Sequence, residues 1–136
     1  MVKRTIVFAA AASVIVAMGA SAAWAAPASV EAYYSRTYKT CMDGAVSTVE
    51  TRDCVNAEHD DWDKALNQIY QTLMASRSPA ERIELRDDER VWLKREKATC
   101  DHAGDDEQGG SLQLVEIDMC YMDETIRRAV YLRGLH

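Results

Sequence analysis

The sequence predicts an all-α fold, a small four-helix, up-down antiparallel bundle stapled by two disulfides. Three observations predict it. Apolar residues recur at helical spacing in four segments, and no segment alternates apolar and polar residues as a half-buried strand would. Serine-led capping signals open two of those segments. The four cysteines form an even set in a small chain that carries an export-type leader. Length agrees, since 136 residues make one domain and fall short of a (β/α)8 barrel. Six glycines and 7% aromatic residues argue against a turn-rich β fold.

The N-terminus reads as an export signal. Lys3 and Arg4 precede an apolar run from Ile6 to Met18, and Ala23-Trp24-Ala25 is an A-x-A cleavage pattern. Cleavage is expected between Ala25 and Ala26, leaving residues 26–136 as a single helical domain. The apolar run is shorter than the ~20 residues of a spanning helix, so no stable membrane anchor is expected after cleavage. The absence of a cysteine near the cut argues against lipid attachment there. The expected location is the periplasm or the outside of the cell. Removing 25 residues leaves 111, and the loss of Lys3 and Arg4 takes the formal net charge from -6 to -8. That acidity argues against a nucleic-acid partner.

The first helical segment is expected from Ser29 to about Asp43, with Val30, Tyr34, Tyr38, Cys41 and Ala45 on one side and Gly44 as the stop. The second opens with the capping box Ser47-Thr48-Val49-Glu50. Val55, Trp62, Leu66, Ile69 and Leu73 form its apolar stripe, Glu58, Asp60, Asp61, Lys64, Gln68 and Gln71 its polar face, and it ends near Ser76. The third opens with Ser78-Pro79-Ala80-Glu81, in which proline occupies a position whose N–H is not needed. Leu85 and Trp92 mark a narrow buried stripe that reaches about Cys100. A loop from Asp101 to Gly110 follows. The fourth segment begins near Ser111 with the stripe Leu112, Val115, Met119, Met122, Ile126 and Val130. Arg127, Arg128 and Arg133 near its end suit the helix dipole.

Short connections at 44–47 and 77–78 make neighbouring helices antiparallel. Cys41, Cys54, Cys100 and Cys120 then fall toward one end of the bundle. Their spacings of 13, 46 and 20 residues contain no C-x-x-C pair, which favours disulfides over zinc or redox chemistry. All three pairings remain open at this level, with Cys41–Cys54 and Cys100–Cys120 preferred.

Several motifs recur in order. Asp63, Leu66, Asn67 and Tyr70 form D-x-x-L-N-x-x-Y; Leu85-Arg86, Arg90, Trp92 and Cys100 follow L-R-x-x-Q-R-x-W-x7-C. Gly109-Gly110-Ser111 precedes the last helix, where Cys120, Thr125, Arg128 and Leu132 form C-x4-T-x2-R-x3-L. With Cys41-Met42 and Cys54, this series resembles the LprI-like family of small exported bacterial proteins, named for a lysozyme inhibitor. The resemblance covers residues 34–132. Two positions depart from it: Glu89 stands where the family has Gln, and Glu96-Lys97 stands where it has an Arg-Asp pair.

Weighed one by one, most polar clusters read as structural. Asn67 and Tyr70 share a helix face and are expected to be buried hydrogen-bonding groups, with Asp63 paired to Arg90 or Arg128. Trp62 and Trp92 are expected to anchor the core rather than stack on sugar. His59 and Asp63 share a face but lack a third ligand, so a solvated acidic surface is the simpler account and no metal or other cofactor is expected. Ser111 has no nucleophile-elbow motif around it, so no catalytic residue is assigned. A bundle this small is expected to offer few places that raise a carboxylate pKa.

The function implied by the resemblance is non-enzymatic inhibition of lysozyme, or of a related glycan hydrolase, by occlusion. Negative charge would speed encounter with a basic lysozyme. The expected contact is Asp105, Asp106, Glu107 and Ser111, on and beside the long loop. The alternative is a periplasmic structural or envelope-stress interaction module that binds another periplasmic protein through an apolar or mixed helix face, without lysozyme activity. A third class, an acid-stress or metal-buffering protein, would take up metal stoichiometrically through its carboxylates and His59 or His102. Mass spectrometry of the exported protein should find a mature chain beginning at Ala26; retention of residues 1–25 would overturn the leader assignment.

Overall fold

The computed structural model describes residues 29–107 and 109–135, so the leader and its cleavage site lie outside the described residues. The elements are a 3-10 turn Val30–Tyr33, α1 Arg36–Gly44, α2 Thr48–Ser76, α3 Pro79–Cys100, a second 3-10 turn Asp105–Glu107, and α4 Ser111–Arg133. The described residues contain no strand, and no helix among them is long and apolar enough to cross a membrane.

Local chemistry sets most helix ends. Ser47 accepts the Glu50 N–H, and the Glu50 carboxylate accepts the Val46 N–H at 2.8 Å. Ser78 and Glu81 complete a reciprocal capping box with Pro79 in the first turn. The first segment departs from expectation. It is a 3-10 turn and a separate helix, broken at Tyr34 and Ser35, which are both extended. Ser35 caps α1, and Glu58 of α2 accepts both its N–H at 2.8 Å and its hydroxyl at 2.6 Å. Glu58 also accepts the Trp62 indole N–H and is buried, so it does not belong to the solvated face. A carboxylate arriving from 23 residues away offers Ser35 stronger bonds than one more helical turn would.

α2 and α4 form the central seam and run parallel. Arg52 meets Asp118 at 2.6 Å, His59 meets Thr125 at 3.1 Å, and Arg77 reaches the Leu135 carbonyl at the far end. The antiparallel helices α1 and α3 flank this pair. One core cluster joins Val30, Tyr38, Cys54 and Val55 to Met122 and Ile126. The other joins Leu66 and Leu73 to Leu85, Trp92, Ala129 and Leu132. Met122, Ile126, Leu132 and Val55 are fully buried. Trp92 anchors the core as expected, whereas Trp62 is half-buried, edge-on to Tyr33 and beneath the Arg133 guanidinium.

The bridges are Cys41–Cys54 and Cys100–Cys120, the preferred pairing, both near the starts of α2 and α4. Each ties a flanking helix to the seam. Replacing Cys100 and Cys120 together with alanine should cost about 3 kcal/mol in urea unfolding of the oxidised protein. Ile126→Ala should cost about 2–5 kcal/mol. A loss below about 1 kcal/mol for Ile126→Ala would contradict its place in the seam.

Candidate functional site

Eight of the motif residues meet in one groove. α2 supplies His59, Asp63, Asn67 and Tyr70, which helical spacing places on one face, with Leu66 beneath them. α3 supplies Arg86, Glu89, Arg90, Trp92, Leu93 and Glu96, and α4 supplies Tyr121 and Thr125. The groove measures about 430 Å³. Asn67 and Asp63 are exposed, so they are not the buried network expected from the sequence. Asn67 donates to the Asp63 carbonyl and carboxylate on its own helix. Neither Arg90 nor Arg128 pairs with Asp63. Arg90 pairs with Asp87 at 3.3 Å, along its own helix.

Arg128 does different work. It is 6% exposed, donates through Nε and Nη2 to Glu89 at 2.9 and 2.6 Å, and reaches Asp88 at 2.7 Å. Its guanidinium lies over the rings of Trp92 and Tyr131. Glu89, the position at which the family's Gln is absent, thus makes a charge-assisted bond that joins α3 to α4. Of the other arginines expected to serve the helix dipole, Arg127 pairs with Asp123 and Glu124.

Glu96 forms the groove floor. It is 7% exposed, which excludes a surface ion pair with Lys97. Lys97 instead pairs with Asp101 at 2.6 Å. The Thr125 hydroxyl approaches one Glu96 oxygen at 3.4 Å, and His59 Nε2 approaches the same hydroxyl at 3.1 Å. A polar relay therefore crosses α2, α4 and α3. Burial pushes the Glu96 pKa up to about 7; the Thr125 bond opposes the shift, while Glu124, Glu89 and Asp63 add to it. Glu96 is one of the few places at which the small bundle raises a carboxylate, because it is buried where α3 packs on α4. Sequence signals marked this position only as a reversal of the family's charge order.

The acidic loop lies beside one end of the groove. The groove residue Tyr121 donates to Asp101 at 2.8 Å where the loop begins. Lys97 and Tyr121 hold the Asp101 carboxyl below its usual range. Gly104, at φ +77°, packs so close to α4 that a Cβ there would stand 3.0 Å from the Gln113 carbonyl oxygen. Asp105 accepts from His102, whereas Asp106, Glu107 and Ser111 are exposed, and neither acid forms an ion pair among the described residues. No group of three or more His, Cys, Asp or Glu side chains among the described residues is placed to hold a metal ion.

These features define a class: a small helical bundle, doubly bridged, with an acid-floored groove beside an acidic loop. Over residues 41–132 the chain matches the family Lysozyme inhibitor LprI, and it belongs to that family. No curated protein and no solved structure matches the chain.

Glu96 binds its proton more tightly in the folded chain than in the unfolded one. The cost of ionising it in the fold is therefore absent below about pH 4.5 and grows as pH rises through about 7. The stability advantage of Glu96→Gln over the unsubstituted protein should grow by about 1–3 kcal/mol between pH 4 and pH 8. Urea unfolding at the two pH values measures it, and a constant difference would contradict the buried charge.

Proposed function

We propose that this protein is an exported inhibitor of lysozyme, or of a related glycan hydrolase, that acts by binding and occlusion rather than by catalysis. Membership of the lysozyme inhibitor family is the observation that carries this reading. The charge distribution supports it. The chain from Ala26 onward has a formal net charge of -8, which favours fast encounter with a basic enzyme. The loop acids Asp106 and Glu107 are exposed and outside any internal ion pair among the described residues, so an approaching cation meets little competition. Ser111, in the first turn of α4, completes the proposed contact with Asp105, Asp106 and Glu107.

A second reading rests on a separate surface. Ile83 and Val91 of α3 are 51% and 65% exposed, lie eight residues apart toward one side of the helix, and fit an interaction module that binds another periplasmic protein through a mixed helix face. Salt separates the two readings, because an acidic contact weakens with ionic strength and an apolar one does not.

The test uses oxidised residues 26–136 against several lysozyme types at low and moderate salt. Inhibition should be stoichiometric and fade as salt is added. Replacing Asp105, Asp106 and Glu107 by their amides should weaken it by about tenfold or more. Unchanged affinity would remove the loop from the contact, and no inhibition of any lysozyme would leave the module reading.

A further inference from the structure

We infer that the groove between α2, α3 and α4 is a receptor for a cationic side chain of the protein partner, best a guanidinium, which pairs with the Glu96 carboxylate. The inference deepens the lysozyme-inhibitor reading by naming a second contact beside the acidic loop.

Glu96 carries the argument. It is nine-tenths buried and, among the described residues, belongs to no ion pair and has the Thr125 hydroxyl as its only hydrogen-bond partner, on one oxygen. Its other oxygen has no hydrogen-bond partner among the described residues, yet it is not sealed off, since Glu96 lines the groove. A carboxylate removed from water with an unfilled acceptor is unfavourable until a donor, above all a charged one, arrives. The cavity of about 430 Å³ has room for an arginine side chain. Tyr70 and Tyr121 in the lining supply aromatic surface of the kind on which a guanidinium stacks.

The other charges nearby leave this site open to a cation. Glu89 is committed to Arg128. Arg86 and Arg90 of the lining are both drawn to Asp87, at 3.8 and 3.3 Å. From α2, Asp63 adds a second negative charge to the lining, and His59 turns its Nε2 to Thr125. From α4, Glu124 acts on Glu96 with the same sign. Tyr121 and Asp101 place the root of the loop at the groove, so one partner surface would reach both.

A cation that pairs with Glu96 displaces its proton, so binding should tighten as pH rises. The charged and titratable groups around Glu96 during this change are His59 and Asp63 from α2, Tyr121 and Glu124 from α4, and Arg86, Glu89 and Arg90 on α3 itself.

The experiment titrates oxidised residues 26–136 with Nα-acetyl-arginine methylamide, followed by amide chemical shifts. The citrulline analogue, equal in shape but uncharged, is the control. Saturable shifts should centre on His59, Tyr70, Glu96 and Thr125, with Kd on the order of 1–10 mM. Citrulline and Glu96→Gln should each weaken binding about tenfold or more, and the affinity should rise several-fold from about pH 6 to about pH 8. Asn67→Lys, which sets a positive charge on the exposed groove wall, should weaken binding also, and keeps the test intact if Glu96→Gln folds poorly. The loop-amide variant should bind the probe as the unsubstituted protein does.

Equal binding of arginine and citrulline, equal binding by Glu96→Gln, or no saturation by about 50 mM would overturn the inference. The two readings fail separately. Probe binding without inhibition of any lysozyme removes the enzyme partner and keeps the groove. Inhibition that is untouched by Glu96→Gln and Asn67→Lys, with no probe binding, removes the groove and keeps the enzyme partner.

Discussion

The position of α3 depends on the need to pair Arg128. A guanidinium 6% exposed would cost several kcal/mol if left alone, so α3 must bring Asp88 and Glu89 to it and lay Trp92 against it. Cys100–Cys120 fixes the other end of the same helix. With two ties to α4, α3 lies along α4 and leaves a groove where it faces α2. Glu96 falls between the ties, where the helices are held together and water is thin. The unusual carboxyl is thus a by-product of how α3 is fastened.

What the sequence reveals, and what it hides, follows the range of the interaction. Ser47, Ser78, Pro79 and the ends near Ser76 and Cys100 are legible because a cap or a stop is chosen by residues within one turn. The core stripes of α2 and α4 are legible because burial repeats with the helix period. The break at Ser35 is not, since its cause is Glu58, 23 residues away on a helix whose polar face it seemed to share. Arg128 looked like a dipole residue for the same reason: its partners lie on α3. Asn67 was expected in the core, yet it lies exposed at the groove with its bonds turned back on its own helix. The ordered motif series nevertheless contains much of the groove lining, and His59 alone of the polar relay lies outside it or its departures.

In the proposed function the loop and the groove would divide two physical tasks. Charge on an exposed loop acts over distances near the Debye length and raises the rate of encounter without much discrimination. A buried acceptor acts only at contact and distinguishes a donor that fits from one that does not. Tyr121, held by Asp101 and lining the groove, places the short-range element next to the long-range one.

Each disulfide joins a cysteine to the next one along the chain, closing separations of 13 and 20 residues. Neither bridge crosses between the α1–α2 half and the α3–α4 half, which are united by the central seam, by Tyr34 on Asp123 and by the packing of Leu66 and Leu73 with Leu85 and Trp92. A chain delivered N-terminus first into an oxidising compartment therefore finds Cys54 as the first available partner of Cys41, and Cys120 as that of Cys100. Oxidation in order of emergence yields the native pairing, so maturation places little demand on a disulfide isomerase, and each hairpin can be closed before the two halves dock.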